Sequence, residues 1–596
     1  MVVLVFLIVF SVSFSFEECL EKFNEERYLS ADRCFSGIKG DNILYPYAVY
    51  YRVIIGTVTD NLDRDVESKL KDLDRYAVTH YGYLSLARYY LKEDIEKALR
   101  YIKMVDKKAL LKEDIPYYLY LKSEIYRKNG DKKRSFLIKK KLATQFTYDR
   151  YYGFRTFLEI KDRLSENDVY KAVDTLSSYR MFKRALKILP LVSYSQRYLY
   201  YRTVLNIKMR RYKDAERYFY LMDKKSRWYQ RAVYSMIIFN HRDYEKQKEF
   251  FRMLLKTKNK KLITKAAHKL MKKSFYRSEY KDFDYFASFI KKDFRYYSDR
   301  IWFTFLKEYR KGNYRKASRI LEKSIRYFSD RAKIYYWLYL TYRHFDRKKA
   351  EEYLVKASSL NSKSFYSLWA KEKTGIKKVS VKITTIPEVD LDRRLKLIKT
   401  LKMKGFYRES YMEALYYKRK DGDLIKLYRV FPEFTARDFS LNKDYYTLSY
   451  PKPFSHIDRK NIVYSIMRQE SFFDAFAVSR SNAVGLMQII PPTARWIAKK
   501  LGKKDFDITD LFDPQTNIKF GRWYIDYLID RFKGNLFHAI ASYNGGEVIV
   551  RKVIKNNRIE DVAEFIEYIP YNETRNYVKK VYRNLIIYNY KYPSER

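Results

Sequence analysis

A short signature recurs about every 33 residues through the middle of the chain, and it constrains the fold more than any other feature. In the clear copies an aromatic residue precedes a small one by three positions, as Tyr212 precedes Ala215 and Tyr314 precedes Ala317. Successive copies end at positions 185, 215, 247, 283, 317 and 350, so the steps are 30, 32, 36, 34 and 33 residues. With apolar residues at helical spacing, this period indicates stacked helix pairs, each too small to bury its apolar face alone.

The repeat predicts an all-α solenoid of helical hairpins. The small residue of each copy allows one helix to approach its partner, and the aromatic residue fills the gap between pairs. A copy from Asp94 to Ala98 indicates that the array begins well before the clear copies. The array resembles tetratricopeptide-like superhelices only loosely, because their wider consensus is missing. Only 16 Gly and 12 Pro occur in 596 residues, which argues against disorder and against a turn-dense β fold.

Two breaks in the helical pattern divide the chain. Residues 371–390 carry β-branched residues, Gly375 and Pro387 in place of helical periodicity, and Pro451 and Pro453 mark a second junction. We therefore predict a signal peptide at 1–16, a helical solenoid at 17–375, a linker and small helical linker domain at 376–445, and a final domain at 446–596.

The first sixteen residues form an apolar run without a charged side chain, and Glu17 and Glu18 follow it. The run is shorter than the ~20 residues that a membrane span needs, and its length suits the core of a signal peptide. A buried first helix and a retained anchor are the alternatives, because no Lys or Arg precedes the run. Cys19 and Cys34 would close a small loop in an oxidising compartment, and otherwise they are two separate thiols.

The chain is strongly basic, with 123 Lys and Arg against 71 Asp and Glu and a formal net charge of +52. Residues 451–596 hold only +8 of this charge, so the first 450 residues hold +44. Such a field attracts polyanions. We expect no nucleic acid partner, because no nucleic-acid-binding module is recognisable. Acidic peptides and anionic glycans outside the cytoplasm are candidate partners, and a solvated lysine-rich surface is the alternative.

The histidines and cysteines give no reason to expect a metal or a cofactor. The six histidines are scattered without ligand spacing, and the two cysteines cannot complete a zinc knuckle. We therefore predict neither a metal site nor a cofactor.

The candidate chemistry begins at a glutamate that ends an apolar helical stripe. The predicted helix carries an apolar stripe of Ile462, Val463, Ile466 and Met467. Glu470 follows the last two by four and three positions. Loss of solvent at the end of such a face raises the pKa of a carboxyl group and keeps it protonated near neutrality. A protonated carboxyl group is what a general acid needs to protonate a glycosidic oxygen.

The residues around this glutamate resemble the soluble lytic transglycosylases, peptidoglycan-cleaving enzymes with a lysozyme-like catalytic domain. Four blocks match that family in order, across about 446–596. The blocks are Glu470-Ser471, Gly485 to Ile489 with Pro492 to Ala494, Ala541 to Gly546, and Ile569 to Val578. A basic helical solenoid before the catalytic domain also matches the long soluble members. This chain departs from the usual pattern at Ser542, Gly545, Glu547 and Ile549.

The resemblance implies a lytic transglycosylase that cleaves the MurNAc-GlcNAc β-1,4 bond and leaves 1,6-anhydro-MurNAc ends, with Glu470 as the single general acid and base. No second acid occupies a convincing lysozyme-like position, which fits a mechanism assisted by the N-acetyl group of the substrate. The resemblance also implies the residues that bind substrate or support the site. They are Tyr543 near Glu470, the groove residues Ser479, Met487, Gln488 and Asn544, and the supporting Glu573. The alternatives are a core residue for Met487, a loop cap for Ser479 and a buried packing hydroxyl for Tyr543.

The predicted signal peptide implies a periplasmic protein, exported through that peptide and peripheral to a membrane at most. Its expected partners are peptidoglycan glycan strands, with other cell-wall enzymes as further candidates. The alternatives are a muramidase that hydrolyses the same bond and a non-catalytic, peptidoglycan-binding solenoid scaffold.

Overall fold

The computed structural model describes residues 15–240, 243–292, 295–360, 364–376, 384, 386, 388–442 and 444–593. Its described residues form α-helices, a few 3-10 helices and two isolated β-bridges but no β-strand, which confirms the predicted all-α class. Residues 1–14 of the predicted signal peptide, and part of the predicted connector, lie outside the described residues. No helix among the described residues has both the length and the apolar character needed to cross a membrane.

The described residues form two compact units. The first unit contains the described parts of Met1–Leu191 and Thr385–Asp438, and the second contains those of Val192–Thr384 and Phe439–Arg596. These packing units combine segments that are distant in sequence, whereas the predicted domains are continuous. The predicted domain boundaries stay a prediction.

Helices α1 to α11 belong to the first unit, and α12 to α22 belong to the second. The first set is α1 (Phe16–Asn24), α2 (Tyr28–Ser36), α3 (Tyr45–Val58), α4 (Arg64–Lys71), α5 (Ala77–Glu93), α6 (Ile95–Met104), α7 (Ile115–Lys128), α8 (Lys132–Gln145), α9 (Gly153–Ile160), α10 (Glu166–Ser178) and α11 (Phe182–Ile188). The second set is α12 (Gln196–Lys208), α13 (Tyr212–Tyr220), α14 (Arg227–Phe239), α15 (Tyr244–Lys256), α16 (Lys260–Tyr276), α17 (Tyr280–Ser288), α18 (Tyr297–Arg310), α19 (Tyr314–Glu322), α20 (Arg331–Tyr342), α21 (Arg347–Ser359) and α22 (Phe365–Thr374).

Helices α23 to α26 return to the first unit, and α27 to α33 complete the second. They are α23 (Arg393–Met403), α24 (Tyr407–Lys420), α25 (Leu424–Val430), α26 (Pro432–Phe439), α27 (Asn461–Glu470), α28 (Pro491–Lys500), α29 (Pro514–Arg531), α30 (Leu536–Gly545), α31 (Glu547–Asn556), α32 (Val562–Tyr568) and α33 (Asn572–Lys591). Short 3-10 helices occur at Lys161–Arg163, Leu189–Leu191, Ile325–Tyr327, Tyr446–Ser449 and Ile508–Phe512.

The sequence repeat corresponds to helical hairpins, as predicted. Each signature begins the second helix of a pair, so α13 starts at Tyr212 and α19 starts at Tyr314. The small residues Ala215 and Ala317 are fully buried between the helices. The chain reverses two residues before the signature, for example at Gly312, where φ is +76°. Glycine adopts this left-handed backbone conformation without steric cost.

A buried carboxylate holds the two segments of the first unit together. Glu413 on α24 accepts hydrogen bonds from the backbone N–H groups of Ala77 and Val78 at 2.9 and 3.0 Å. These groups belong to the first turn of α5, where helix N–H donors have no partner within the helix. In the same unit a disulfide joins Cys19 on α1 to Cys34 on α2.

Three acidic residues of α32 and its N-cap attach the last part of the second unit to the solenoid helices. Asp561 accepts a hydrogen bond from Tyr336 Oη at 2.9 Å, and Glu564 accepts one from Tyr309 Oη at 2.6 Å. Glu567, which is 3% exposed, accepts one from Trp302 Nε1 at 3.3 Å. The three acids follow one another at three-residue spacing, which places them along one face of the helix.

Glu567 is also the centre of a buried ion cluster. Its carboxylate pairs with Lys579 on α33 and with Lys333 on α20, and Tyr366 donates a hydrogen bond to it. Burial alone would raise the pKa of Glu567, but the positive charges of Lys333, Lys579 and Arg575 hold that pKa well below its usual range. The carboxylate is therefore ionised in the folded protein and balances buried cations.

Candidate active site

Glu470 is the last residue of α27, as the sequence predicts. The helix stops there because Phe472 and Phe473 adopt left-handed backbone conformations, with φ of 55° and 66°. Such a conformation is rare for residues other than glycine and ends a helix. Because the helix ends, Asp474 does not lie one helical turn beyond Glu470 on the same helix face. Its carboxylate instead accepts a hydrogen bond from the backbone N–H of Phe476 at 2.9 Å.

The pKa of Glu470 is raised from 4.5 to about 7. The main cause is loss of solvent around the carboxyl group, because Ile466 and Met467 of the preceding turn are fully buried. The hydroxyl of Tyr577 opposes this increase in pKa, and the negative charge of Glu573 adds to it. The carboxyl group is therefore protonated in about half of the molecules at neutral pH, which suits a group that both gives and accepts a proton.

Six of the seven sequence-predicted site residues line one cavity of about 590 Å³. Its wall also contains Tyr524 of α29 and Thr493 of α28. The six residues are Glu470, Ser479, Gln488, Tyr543, Asn544 and Glu573.

Met487 is the exception, and its expected place in the groove lining is wrong. Its side chain is fully buried and packs against Gly521 of α29, where a Cβ atom would lie 2.2 Å from the sulfur. The backbone of Met487 instead takes part in the site. Its carbonyl oxygen accepts a hydrogen bond from Tyr543 Oη at 2.9 Å, and its N–H donates to Asn517 Oδ1 at 2.8 Å.

Asn517 organises the loop that forms one side of the cavity. Besides accepting the hydrogen bond from the Met487 N–H, its side-chain amide donates hydrogen bonds to the carbonyl oxygens of Val484 and Leu511 at 3.0 and 2.8 Å. Gly485 lies against it with φ of +76°, and a Cβ atom there would lie 2.1 Å from the Asn517 amide nitrogen. The loop also bonds to the end of α27, because Ser471 Oγ donates to the carbonyl of Leu486 at 2.7 Å.

Ser479 and Gln488 combine a position in the cavity wall with bonds inside the same loop. Ser479 Oγ accepts the backbone N–H groups of Ser481 and Ala483 at 3.2 and 3.0 Å, which is the loop-capping role of a serine. Gln488 Nε2 donates to the carbonyl oxygens of Ala477 and Gly485, both at 2.9 Å. These bonds hold both side chains in place before any ligand binds.

Tyr543 and Asn544 come from the end of α30 and face the start of α33. The Tyr543 hydroxyl is buried, and its pKa lies well above the usual value because of that burial and the nearby Glu470 charge. Asn544 Oδ1 accepts a hydrogen bond from Thr574 Oγ1 at 2.8 Å. Gly545 allows this approach, because a Cβ atom there would lie 2.9 Å from Thr574 Oγ1. The departure from the family pattern at position 545 therefore fits this contact.

Sequence reasoning did not select Tyr577 and Tyr524 as site residues. Tyr577 is buried beside Glu470, and Tyr524 lines the cavity with its ring centroid 5.2 Å from that of Tyr543. The sequence could have indicated Tyr577, because it follows Glu573 by four residues and therefore lies on the same face of α33.

A second cavity of about 630 Å³ adjoins the first, with which it shares Asn544, Gly545 and Glu573. Its other side is formed by α16 of the same unit. Four basic side chains of α16 and the following turn line it, namely Lys269, Lys272, Lys273 and Arg277. The described residues contain no group of three or more acidic, histidine or cysteine side chains that could hold a metal ion.

Known proteins resemble this chain in sequence over the site and in fold over the whole chain. Residues 456–566 match the transglycosylase SLT domain model. The soluble lytic murein transglycosylase of Salmonella typhimurium is 42% identical over 120 residues, which are 20% of this chain and 18% of that protein. That of Escherichia coli strain K12 is 40% identical over 129 residues, 21% of this chain and 20% of that protein. The alignments thus span about a fifth of these curated relatives.

A solved structure extends the likeness in fold. The crystal structure of the 70 kDa soluble lytic transglycosylase from Escherichia coli has a TM-score of 0.68 and 18% identity, covering 97% of this chain and 96% of that one. The match confirms the predicted architecture of a helical solenoid followed by a lysozyme-like domain.

Proposed function

Because residues 456–566 match the transglycosylase SLT domain and the chain has the fold of a soluble lytic transglycosylase, we propose that it cleaves peptidoglycan glycan strands as a lytic transglycosylase. The observation that carries the proposal is the carboxyl group of Glu470, which lines a cavity and has its pKa raised to about 7. A group that is half protonated at neutral pH can act as an acid and then as a base in one reaction cycle.

In the proposed reaction Glu470 first protonates the oxygen of the MurNAc-GlcNAc β-1,4 bond. That bond breaks with its electron pair on the oxygen, while the N-acetyl group of the muramyl residue stabilises the anomeric carbon. The Glu470 carboxylate then removes the proton of the muramyl 6-hydroxyl, whose oxygen attacks the same carbon. The products are a 1,6-anhydro-MurNAc end and a free GlcNAc end, and no water is consumed.

The neighbours of Glu470 have supporting parts in this proposal. Tyr543 is held between Glu470 and the Met487 carbonyl, where it positions the N-acetyl group. Ser479, Gln488 and Asn544 line the cavity as contacts for the sugar chain. The basic residues of α16 beside the cavity suit the acidic stem peptides that peptidoglycan strands carry.

A muramidase is the second candidate function, because Glu573 lines the same cavity as Glu470. In a hydrolase a second carboxylate activates water or forms a covalent intermediate. We assign Glu573 a supporting part instead, since its negative charge helps to keep Glu470 protonated. The two functions differ in their products.

The test compares products formed from purified sacculi by the wild type, Glu470→Gln, Glu573→Gln and Glu547→Gln. Mass spectrometry is expected to find anhydro ends from the wild type and a loss of at least a thousandfold in rate for Glu470→Gln. Glu547→Gln is the matched control, because this acid pairs with Arg531 and Arg551 and is not among the residues that line the cavity, and its rate should stay within twofold. If the wild type produced reducing ends and Glu573→Gln did not, the protein would be a muramidase. If the wild type and Glu470→Gln lysed sacculi equally, it would be a non-catalytic scaffold.

Export to the periplasm, peripheral to a membrane at most, is part of the same proposal. The Cys19–Cys34 disulfide supports it, because such bonds persist mainly in oxidising compartments. Ser15 caps α1 and Phe16 packs in the core of the first unit, so the last two residues of the predicted signal peptide take part in the fold. Sequencing the N-terminus of the protein recovered from the periplasm tests both export and cleavage.

A further inference from the structure

The first unit contains a cavity of about 740 Å³ that the proposed reaction does not use. It lies among α3, α5 and α7, and its volume is within the ~300–1,000 Å³ range of small-molecule sites. Ile54 and Leu84 contribute apolar surface to it. Five tyrosines line it, and we name it the tyrosine cavity after them: Tyr50, Tyr81, Tyr89, Tyr117 and Tyr152.

Tyrosine is concentrated at this cavity beyond its abundance in the chain. Five of the fifteen lining residues are Tyr, whereas the chain has 63 Tyr in 596 residues. All five side chains are half-buried, so each keeps some surface that solvent can reach. Tyr117 of α7 packs against Tyr152, the N-cap residue of α9, with ring centroids 5.4 Å apart.

Hydrogen bonds fix one wall of the tyrosine cavity. Tyr81 Oη donates to Asp114 Oδ2 at 2.6 Å and accepts the backbone N–H of Leu111 at 3.0 Å. Arg408 of α24, in the same unit, pairs with Asp114 at 3.3 Å. The rings and the carboxylate are therefore positioned by the fold before a ligand arrives.

The charge around the tyrosine cavity is balanced, which is unusual in a chain with a formal net charge of +52. The wall has three carboxylates, from Asp60, Glu93 and Asp114, and two cations, from Arg88 and Lys92. Arg408, bound to Asp114, supplies the third cation. A site for a polyanion would show an excess of cations, and a cage for a cationic ligand would show an excess of carboxylates.

We propose that the tyrosine cavity binds an uncharged, β-1,4-linked N-acetylated glycan segment, as an anchor separate from the catalytic cavity. Aromatic faces cover the apolar C–H faces of sugar rings, and the carboxylates and guanidinium groups at the wall bond to hydroxyl and amide groups. The choice of this glycan rests on the proposed function, since the sugar backbone of the proposed substrate is β-1,4-linked and N-acetylated. Two sites on one polymer raise the effective concentration of glycan at the catalytic cavity.

The experiment uses the full chain with Glu470→Gln, so that binding is measured without cleavage. The probe is the β-1,4-linked tetramer of N-acetylglucosamine, titrated by calorimetry. Ser85→Trp, which fills the cavity from α5, is expected to reduce the number of bound tetramers from two to one. Tyr117→Ala should weaken the same site at least tenfold, and Tyr117→Phe, which keeps the ring, should change its affinity by less than threefold.

Unchanged binding in Ser85→Trp, with its thermal transition preserved, would overturn the proposal even if Tyr117→Ala did not fold. Tighter binding of tetramethylammonium than of the tetramer at this site would also overturn it, in favour of a cation cage. The result is independent of catalysis: if sacculus digestion fails while Ser85→Trp still removes one binding site, the proposed function falls and the glycan anchor stands.

Discussion

At the scale of single residues, the acid-base behaviour of Glu470 leads to a specific pH dependence. The proposed general acid must be protonated, and the pKa of Glu470 is raised to about 7. We therefore expect kcat/KM to fall about tenfold per pH unit above that value. Because the charge of Glu573 raises this pKa, Glu573→Gln should move the fall to lower pH. A fall centred near 4.5 in the wild type, or a midpoint that Glu573→Gln leaves unchanged, would contradict the assignment.

The same shift in pKa predicts an effect on stability. A carboxyl group whose pKa rises from 4.5 to about 7 on folding favours the folded state less as pH increases through that window. At pH 8 the ionised group costs up to about 3 kcal/mol. Glu470→Gln should therefore increase the free energy of unfolding at pH 8, by about 1–2 kcal/mol after loss of its polar contacts, and should have little effect at pH 4. Denaturant titrations at both pH values check this, and an equal change at both would refute it.

The sequence predicted the residues around Glu470 better than it predicted their side-chain directions. The apolar stripe and the Phe472–Phe473 break are local features, so both the acid and its helix end were predictable. Met487 was expected in the groove because its block is part of the site. Its direction, however, depends on Gly521, which is 34 residues away and leaves space for the methionine side chain. Such a contact has no local signal.

At the scale of secondary-structure elements, the acids of α32 carry the attachment between distant segments of the second unit. Glu567→Gln removes the negative charge that balances buried Lys333 and Lys579, and it should lower the free energy of unfolding by about 3–5 kcal/mol at pH 7. The pKa of Glu567 is lower in the folded protein than in the unfolded chain. Its contribution to the free energy of unfolding is therefore complete at pH values above the pKa of the unfolded chain, and it is lost as the pH falls through the pKa of the folded protein. The difference between variant and wild type should therefore shrink in strong acid.

The matched control for Glu567→Gln is Glu560→Gln, just before the same helix. The Glu560 side chain is exposed and pairs with the exposed Arg558, so its loss should cost less than about 0.5 kcal/mol. Chemical denaturation followed by tryptophan fluorescence suits the measurement, because Trp302 contacts Glu567 directly. Equal stability of the two variants would show that the cluster contributes no net stability.

Elements were predictable where their pattern is local. In the clear copies the aromatic residue is the first residue of the second helix, as at Tyr212 and Tyr314, because the small residue three positions later is buried against the partner helix. The attachment of α24 to α5 was not predictable. It depends on a hydrogen bond between Glu413 and the backbone of Ala77, which are 336 residues apart.

At the scale of the whole molecule, charge and the proposed glycan anchor would make separable contributions to binding peptidoglycan. The net charge of +52 attracts the acidic groups of the polymer, and salt screens that attraction as the Debye length falls from roughly 10 Å at 0.1 M to roughly 3 Å at 1 M. Binding in the tyrosine cavity uses balanced charges and ring surfaces, so salt should affect it little. Sedimentation of the Glu470→Gln chain with sacculi should therefore show a bound fraction that falls with salt to a plateau. Ser85→Trp should lower the bound fraction at the plateau and leave the salt-dependent part of binding unchanged. A bound fraction that does not change with salt would contradict the electrostatic contribution.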